Sequence, residues 1–197
     1  MEILLILLGL GLVGGAFYAF KKGQNKQPKA LPMPAARTLL TLQVNDIVTH
    51  FTSDYLVEGK LTYNDDGDEW YEFMLTDGDD TVWLSVEEDD RLEAGLFRVV
   101  EDLKFKSKPP EHIEYDGHRY ELEEWGRASV TRVGQTGIKK GMSCTYYEYE
   151  APGDHYLTVE QWGEGEFEVA VGRSVNPTEL ELLPGDNVGS DQFARLT

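Results

Sequence analysis

Trp83-Leu84-Ser85-Val86-Glu87 has a second copy in this chain, Tyr156-Leu157-Thr158-Val159-Glu160. Each run reads aromatic, leucine, hydroxyl residue, valine, glutamate, and each follows a polar turn containing Gly and Asp. Alternation of this kind, rich in aromatic and β-branched residues, predicts a β-strand with two chemically different faces. The flanks repeat as well. Trp70-Tyr71-Glu72-Phe73-Met74-Leu75 precedes the first copy and Tyr146-Tyr147-Glu148-Tyr149-Glu150 precedes the second. Tyr71 to Glu87 is 16 positions and Tyr146 to Glu160 is 14, so only a turn is shortened.

Farther out, Gly117 to Leu122 is similar to Ser53 to Val57, and Trp125 to Val130 parallels Glu58 to Tyr63. Turns such as Asn64-Asp65-Asp66-Gly67-Asp68 and Thr76-Asp77-Gly78-Asp79-Asp80 separate the runs. Asp-Gly between two such runs is a strong hairpin signal. The pattern predicts an all-β fold: an internally duplicated β-sandwich or a pair of small β-barrel-like units. The first repeat spans 38–107 and the second 108–175, with 176–197 as a C-terminal arm rich in turn formers. Helical periodicity is weak everywhere in this part, and the stretch around Glu88 to Leu96 reads as loop or a single turn.

Ile3 to Phe20 contains no charged residue. Eighteen residues of helix reach about 27 Å, close to the hydrocarbon thickness of a bilayer. Residues 1–22 therefore read as one N-terminal transmembrane helix and 23–37, with its prolines, as an extended linker. A cleaved signal peptide is the alternative, but its first residues should be basic and only Met1 and Glu2 stand there. Lys21, Lys22, Lys26 and Lys29 follow the span, which places the C-terminal domain on the cytoplasmic side of a cell membrane. Gly11, Gly15 and Ala19 share one helix face, where small residues permit close approach in a homodimer.

The net charge is −18 and is divided unevenly. Five basic residues against Glu2 give residues 1–37 a charge of +4, which leaves −22 on the rest. Such a domain repels nucleic acid, so no nucleic-acid partner is expected. The single cysteine, Cys144, excludes an intrachain disulfide and reads as a small buried residue.

No reaction chemistry stands out. The acidic turns lack the alternating ligands and twelfth-position Glu of a calcium loop. His50, His112, His118 and His155 show no metal-ligand spacing, and there is neither a nucleophile elbow nor a phosphate-cradling glycine loop. No metal, cofactor or catalytic residue is assigned. Trp83, Glu87, Tyr156 and Glu160 are the candidate ligand-binding residues, since carboxylates beside aromatic faces suit a small cationic ligand or a basic protein segment. The expected role is a non-enzymatic, membrane-tethered interaction or ligand-binding module. A hydrolase or transferase built on clustered acids is the alternative.

These runs also carry a resemblance. A Gly before a first strand pair, then WYEFML, then WLSVE, then a second Tyr-x-Leu…Gly-x-Ala unit with its WGRAS segment resembles a bacterial domain of unknown function family, DUF4178, over about residues 40–175. The resemblance implies a β-rich domain with no assigned enzyme activity. It also implies a setting in bacterial envelope-associated, stress, ion-transport or polyamine systems. It supplies no catalytic residues.

Overall fold

The computed structural model describes residues 36–138 and 143–185. The chain forms strands β1 (Ile47–His50), β2 (Ser53–Asp65), β3 (Asp68–Asp77), β4 (Asp80–Glu88), β5 (Leu92–Val100), β6 (His112–Tyr115), β7 (His118–Gly134), β8 (Ser143–Ala151), β9 (His155–Trp162), β10 (Phe167–Ser174) and β11 (Leu180–Leu183). The two matching runs are β4 and β9. All pairings are antiparallel, in the order β11-β1-β2-β3-β4-β5-β10-β9-β8-β7-β6, and a further β2–β7 pairing joins the sheet to itself. Strands β2 to β5 and β7 to β10 thus close one eight-stranded barrel, with β1, β11 and β6 as extensions.

This corrects the expected sandwich or pair of small units. Neither half closes alone, because β5 pairs with β10 and β2 with β7. Four strands separated from the rest would expose two unpaired edges, and closure across the halves removes both. Two smaller expectations also change. The stretch read as loop around Glu88 to Leu96 holds the start of β5, and the runs Gly117 to Leu122 and Trp125 to Val130 fall largely on one continuous β7.

Long strands allow the closure. The first part of β2 pairs with β1, and Gly59 to Asn64 pair with β7. Strand β7 likewise pairs with β6 over His118 to Glu121 and with β2 over Ser129 to Gly134. Register shifts between Val57 and Gly59 and between Leu122 and Glu124 fall near these changes of partner, where a bulge bends the strand. At the seam Gly59 faces Gly134, and a Cβ on Gly59 would lie 2.1 Å from the Gln135 carbonyl oxygen. Gly134 has φ +74° and its Cβ would lie 2.3 Å from the Glu58 carbonyl oxygen, so two backbones meet where side chains have no room.

Two apolar clusters lie outside the barrel wall. One joins Phe73, Leu75, Val82, Leu84 and Val86 to Leu39, Leu42, Val48 and Leu180. The other joins Tyr147, Tyr149, Leu157, Val159 and Val169 to Ile113, Leu103 and Phe105. The chain segments flanking each half therefore cover its outer face. Asp46 fastens the first cover. It is fully buried and accepts from Arg37 Nε at 2.6 Å, from the Gln43 amide at 2.8 Å and from the Gly185 amide at 2.9 Å.

The span expected over 1–22 lies outside the described residues, as does the linker expected over 23–37 except for Ala36 and Arg37. Among the described residues, no helix is long and apolar enough to cross a membrane.

Candidate functional site

With the valines, leucines and phenylalanines of β3, β4 and β9 turned outward, the alternate positions face the barrel interior. Directly paired residues share a face, so the registers show what lines it. Trp70 opposes Glu87, Glu72 opposes Ser85, and Glu87 opposes Glu93. In the other half Tyr146 opposes Glu160, Glu148 opposes Thr158, and Glu160 opposes Glu168. Each half sends three glutamates and a large aromatic inward at corresponding strand positions.

The aromatic side chains meet across the interior. Tyr63 stacks on Trp70 at 4.9 Å, Trp70 meets Tyr146 edge-on at 5.1 Å, and Trp162 lies 6.0 Å from Tyr63. The Tyr63 hydroxyl lies 2.9 Å from Glu72 Oε2 and 2.9 Å from Glu160 Oε1. The Tyr146 hydroxyl stands between Asp65 Oδ2 at 3.0 Å and Glu124 Oε1 at 3.2 Å. Gly126 leaves room for this second cluster, since a Cβ there would sit 2.4 Å from both the Asp65 carboxyl and the Tyr146 hydroxyl.

Enclosure raises the proton affinity of these groups. Burial, opposed by the Tyr63 hydrogen bond and reinforced by Glu168, pushes the Glu72 carboxyl up to about 7. Burial and the neighbouring Glu72 carboxylate hold Glu160 well above the usual carboxylate range. Burial, Glu87, Glu124 and Glu72 push Glu148 up to about 7. Glu148 is nevertheless solvent-accessible. The barrel is therefore open to solvent at Glu148, where the carboxyl is exposed yet crowded by other acids. Among the described residues, Glu72, Glu87, Glu148, Glu160 and Glu168 form no ion pair, whereas Glu93 pairs with Arg91 at 2.5 Å. Chemically, the interior offers carboxyls that exchange a proton near neutral pH and aromatic faces that attract cations.

The four candidate residues divide between the two ends of this interior. Trp83 and Glu160 line one cavity of about 20 Å³, roughly the space of a single water, together with Glu72, Glu168 and Trp162. Glu87 and Tyr156 both lie within electrostatic reach of Glu93. Glu72, Glu148 and Glu168 escaped the sequence reading. Their signal was present as an aromatic two positions before a glutamate, in Trp70-x-Glu72 and Tyr146-x-Glu148. Cys144 is buried in the interior cluster, and burial and Glu160 push its thiol far up, so it is not a ready thiolate. Among the described residues, no three His, Cys, Asp or Glu side chains are grouped to hold a metal ion.

Fold and site together define an antiparallel β-barrel whose interior is lined by acids and aromatics. The chain belongs to the family described as Domain of unknown function (DUF4178), whose model matches residues 43–177. It is 33% identical over 151 residues to an uncharacterized protein of Mycobacterium bovis, covering 73% of this chain and 72% of that protein. The same figures hold for an uncharacterized protein of Mycobacterium tuberculosis. An uncharacterized protein of Aquifex aeolicus is 29% identical over 85 residues, 43% of this chain and 46% of that one. No solved structure matches the chain.

Proposed function

We propose that this barrel is a non-enzymatic binding module whose interior receives a cationic guest, either a polyamine or a Lys/Arg-bearing segment of a protein partner. The observation that carries this reading is the set of interior glutamates without ion-pair partners, interleaved with Trp70, Trp83, Tyr146 and Tyr156. A cation over an aromatic face gains about 0.5–2 kcal/mol, and carboxylates in a confined interior add to it. Residues 38–107 and 108–175 act as two repeats of one unit. The apolar run of residues 1–22 tethers the module to a bacterial membrane with the barrel on the cytoplasmic side, in an envelope-associated or stress-related system. Gly11, Gly15 and Ala19 offer a contact for pairing within the bilayer.

The test is titration of spermidine, and separately of a Lys/Arg-rich peptide, into the detergent-extracted full chain at physiological salt. Glu87→Gln combined with Glu160→Gln should weaken binding about tenfold or more, because a guest inside loses a carboxyl that can ionise against it at each end. General attraction to the acidic surface would fade with salt and barely register two substitutions. Unchanged affinity in the double variant would sink this reading.

A further inference from the structure

A phenol carries one hydrogen, yet the Tyr63 oxygen lies within hydrogen-bond distance of two carboxyl oxygens, each at 2.9 Å. One contact uses the phenol hydrogen. The other, if both carboxyls were ionised, would place two oxygens against each other with no hydrogen between them. We infer that Glu72, Tyr63 and Glu160 form a proton-holding bridge, in which one carboxyl is a neutral acid donating to the phenol oxygen while Tyr63 donates to the other. The interior then changes by one unit of charge when that proton leaves, which makes it a pH-sensitive device built into the wall of the barrel.

The surroundings favour retention of the proton. The groups that act on the bridge are Glu168 from β10, Cys144 and Glu148 from β8, and, through Glu148, Glu87 from β4 and Glu124 from β7. Among these described neighbours every titratable group is acidic or neutral, so none compensates a second negative charge. The bridge carboxyls border the small cavity shared with Trp162, whose buried indole nitrogen finds no partner among the described residues. Loss of the proton leaves two carboxylates competing for one hydroxyl and repelling across it.

The experiment is carbon-13 NMR of the detergent-extracted full chain labelled at the glutamate carboxyl carbon, titrated with pH. The bridge predicts a carboxyl signal with a midpoint near neutrality that disappears in Glu72→Gln and persists in Glu148→Gln. Tyr63→Phe should move that midpoint downward, because the neutral carboxyl loses the phenol oxygen to which it donates and the protonated bridge loses more than the ionised one. Circular dichroism confirms that each variant keeps its sheet, and Tyr63→Phe carries the test if Glu72→Gln does not fold. Titration of every glutamate below about pH 5.5, as for ordinary carboxyls, would overturn the bridge. So would a neutral midpoint that Tyr63→Phe leaves in place.

Discussion

Trp83 of β4 shares its cavity with Glu160 of β9 and not with Tyr156, the residue that matches it in the repeated run. Both strands present alternate residues to one interior, and the end of one run lies by the start of the other. Glu87 and Tyr156 are correspondingly both near Glu93.

The pH dependence of stability follows from the raised carboxyls. Glu72, Glu148 and Glu160 hold protons more tightly in the fold than in the unfolded chain, where glutamates titrate near 4.5. The folded state therefore binds more protons in this window, and stability falls as pH rises. The loss runs from the unfolded value to the folded values of about 7 for Glu72 and Glu148. Thermal melts should show a higher midpoint at pH 5.5 than at pH 8, and Glu72→Gln should flatten the difference. A barrel more stable at pH 8 would contradict this assignment.

Gly134→Ala should destabilise the barrel by about 2 kcal/mol or more, since it combines positive φ with a steric clash. The new methyl would sit 2.3 Å from the Glu58 carbonyl oxygen, directly at the β2–β7 seam. Chemical denaturation measures the cost. Gly78→Ala, also at positive φ but with nothing within 4 Å, is the control and should cost clearly less.

Arg37 ties the start of the described chain to the core. Its guanidinium is bound to the buried Asp46 at 2.6 Å, which also takes amides from Gln43 and Gly185. Removing one partner of a buried pair costs about 3–5 kcal/mol. A chain starting at Ala36 should therefore resist urea better than one starting at Thr38, and Arg37→Ala in the full chain should reproduce the deficit. Equal stability of the two truncated chains would show that Asp46 is satisfied without Arg37.

Orientation in the membrane is testable without the structure. If the proposed tether holds Lys21, Lys22, Lys26 and Lys29 on the cytoplasmic side, a reporter fused after Thr197 should function only in the cytoplasm. Activity of a reporter that requires export would reverse the topology.

The sequence by itself determined most of the strands and their alternating faces, although the start of β5 reads as loop. Trp83 to Glu87 and Tyr156 to Glu160 alternate too regularly for helix or loop, and Asp66-Gly67 and Asp116-Gly117 adopt the positive φ that tight hairpins require. It also placed Trp83, Glu87, Tyr156 and Glu160 on one face of their strands, because side-chain direction in a strand depends only on parity. Only the tertiary structure decided that this face points inward. The rule that apolar residues go inside would have put Leu84 and Val86 in the barrel and Glu87 outside, but flanking segments such as Leu39 to Leu42 bury the outer face instead. Closure was equally hidden, because the pairings of β5 with β10 and of β2 with β7 join residues far apart in the chain, and no local pattern encodes which free edges will meet. The contact of Glu72 with Glu160 through Tyr63 depends on both decisions, and so it could be seen only once the barrel was closed.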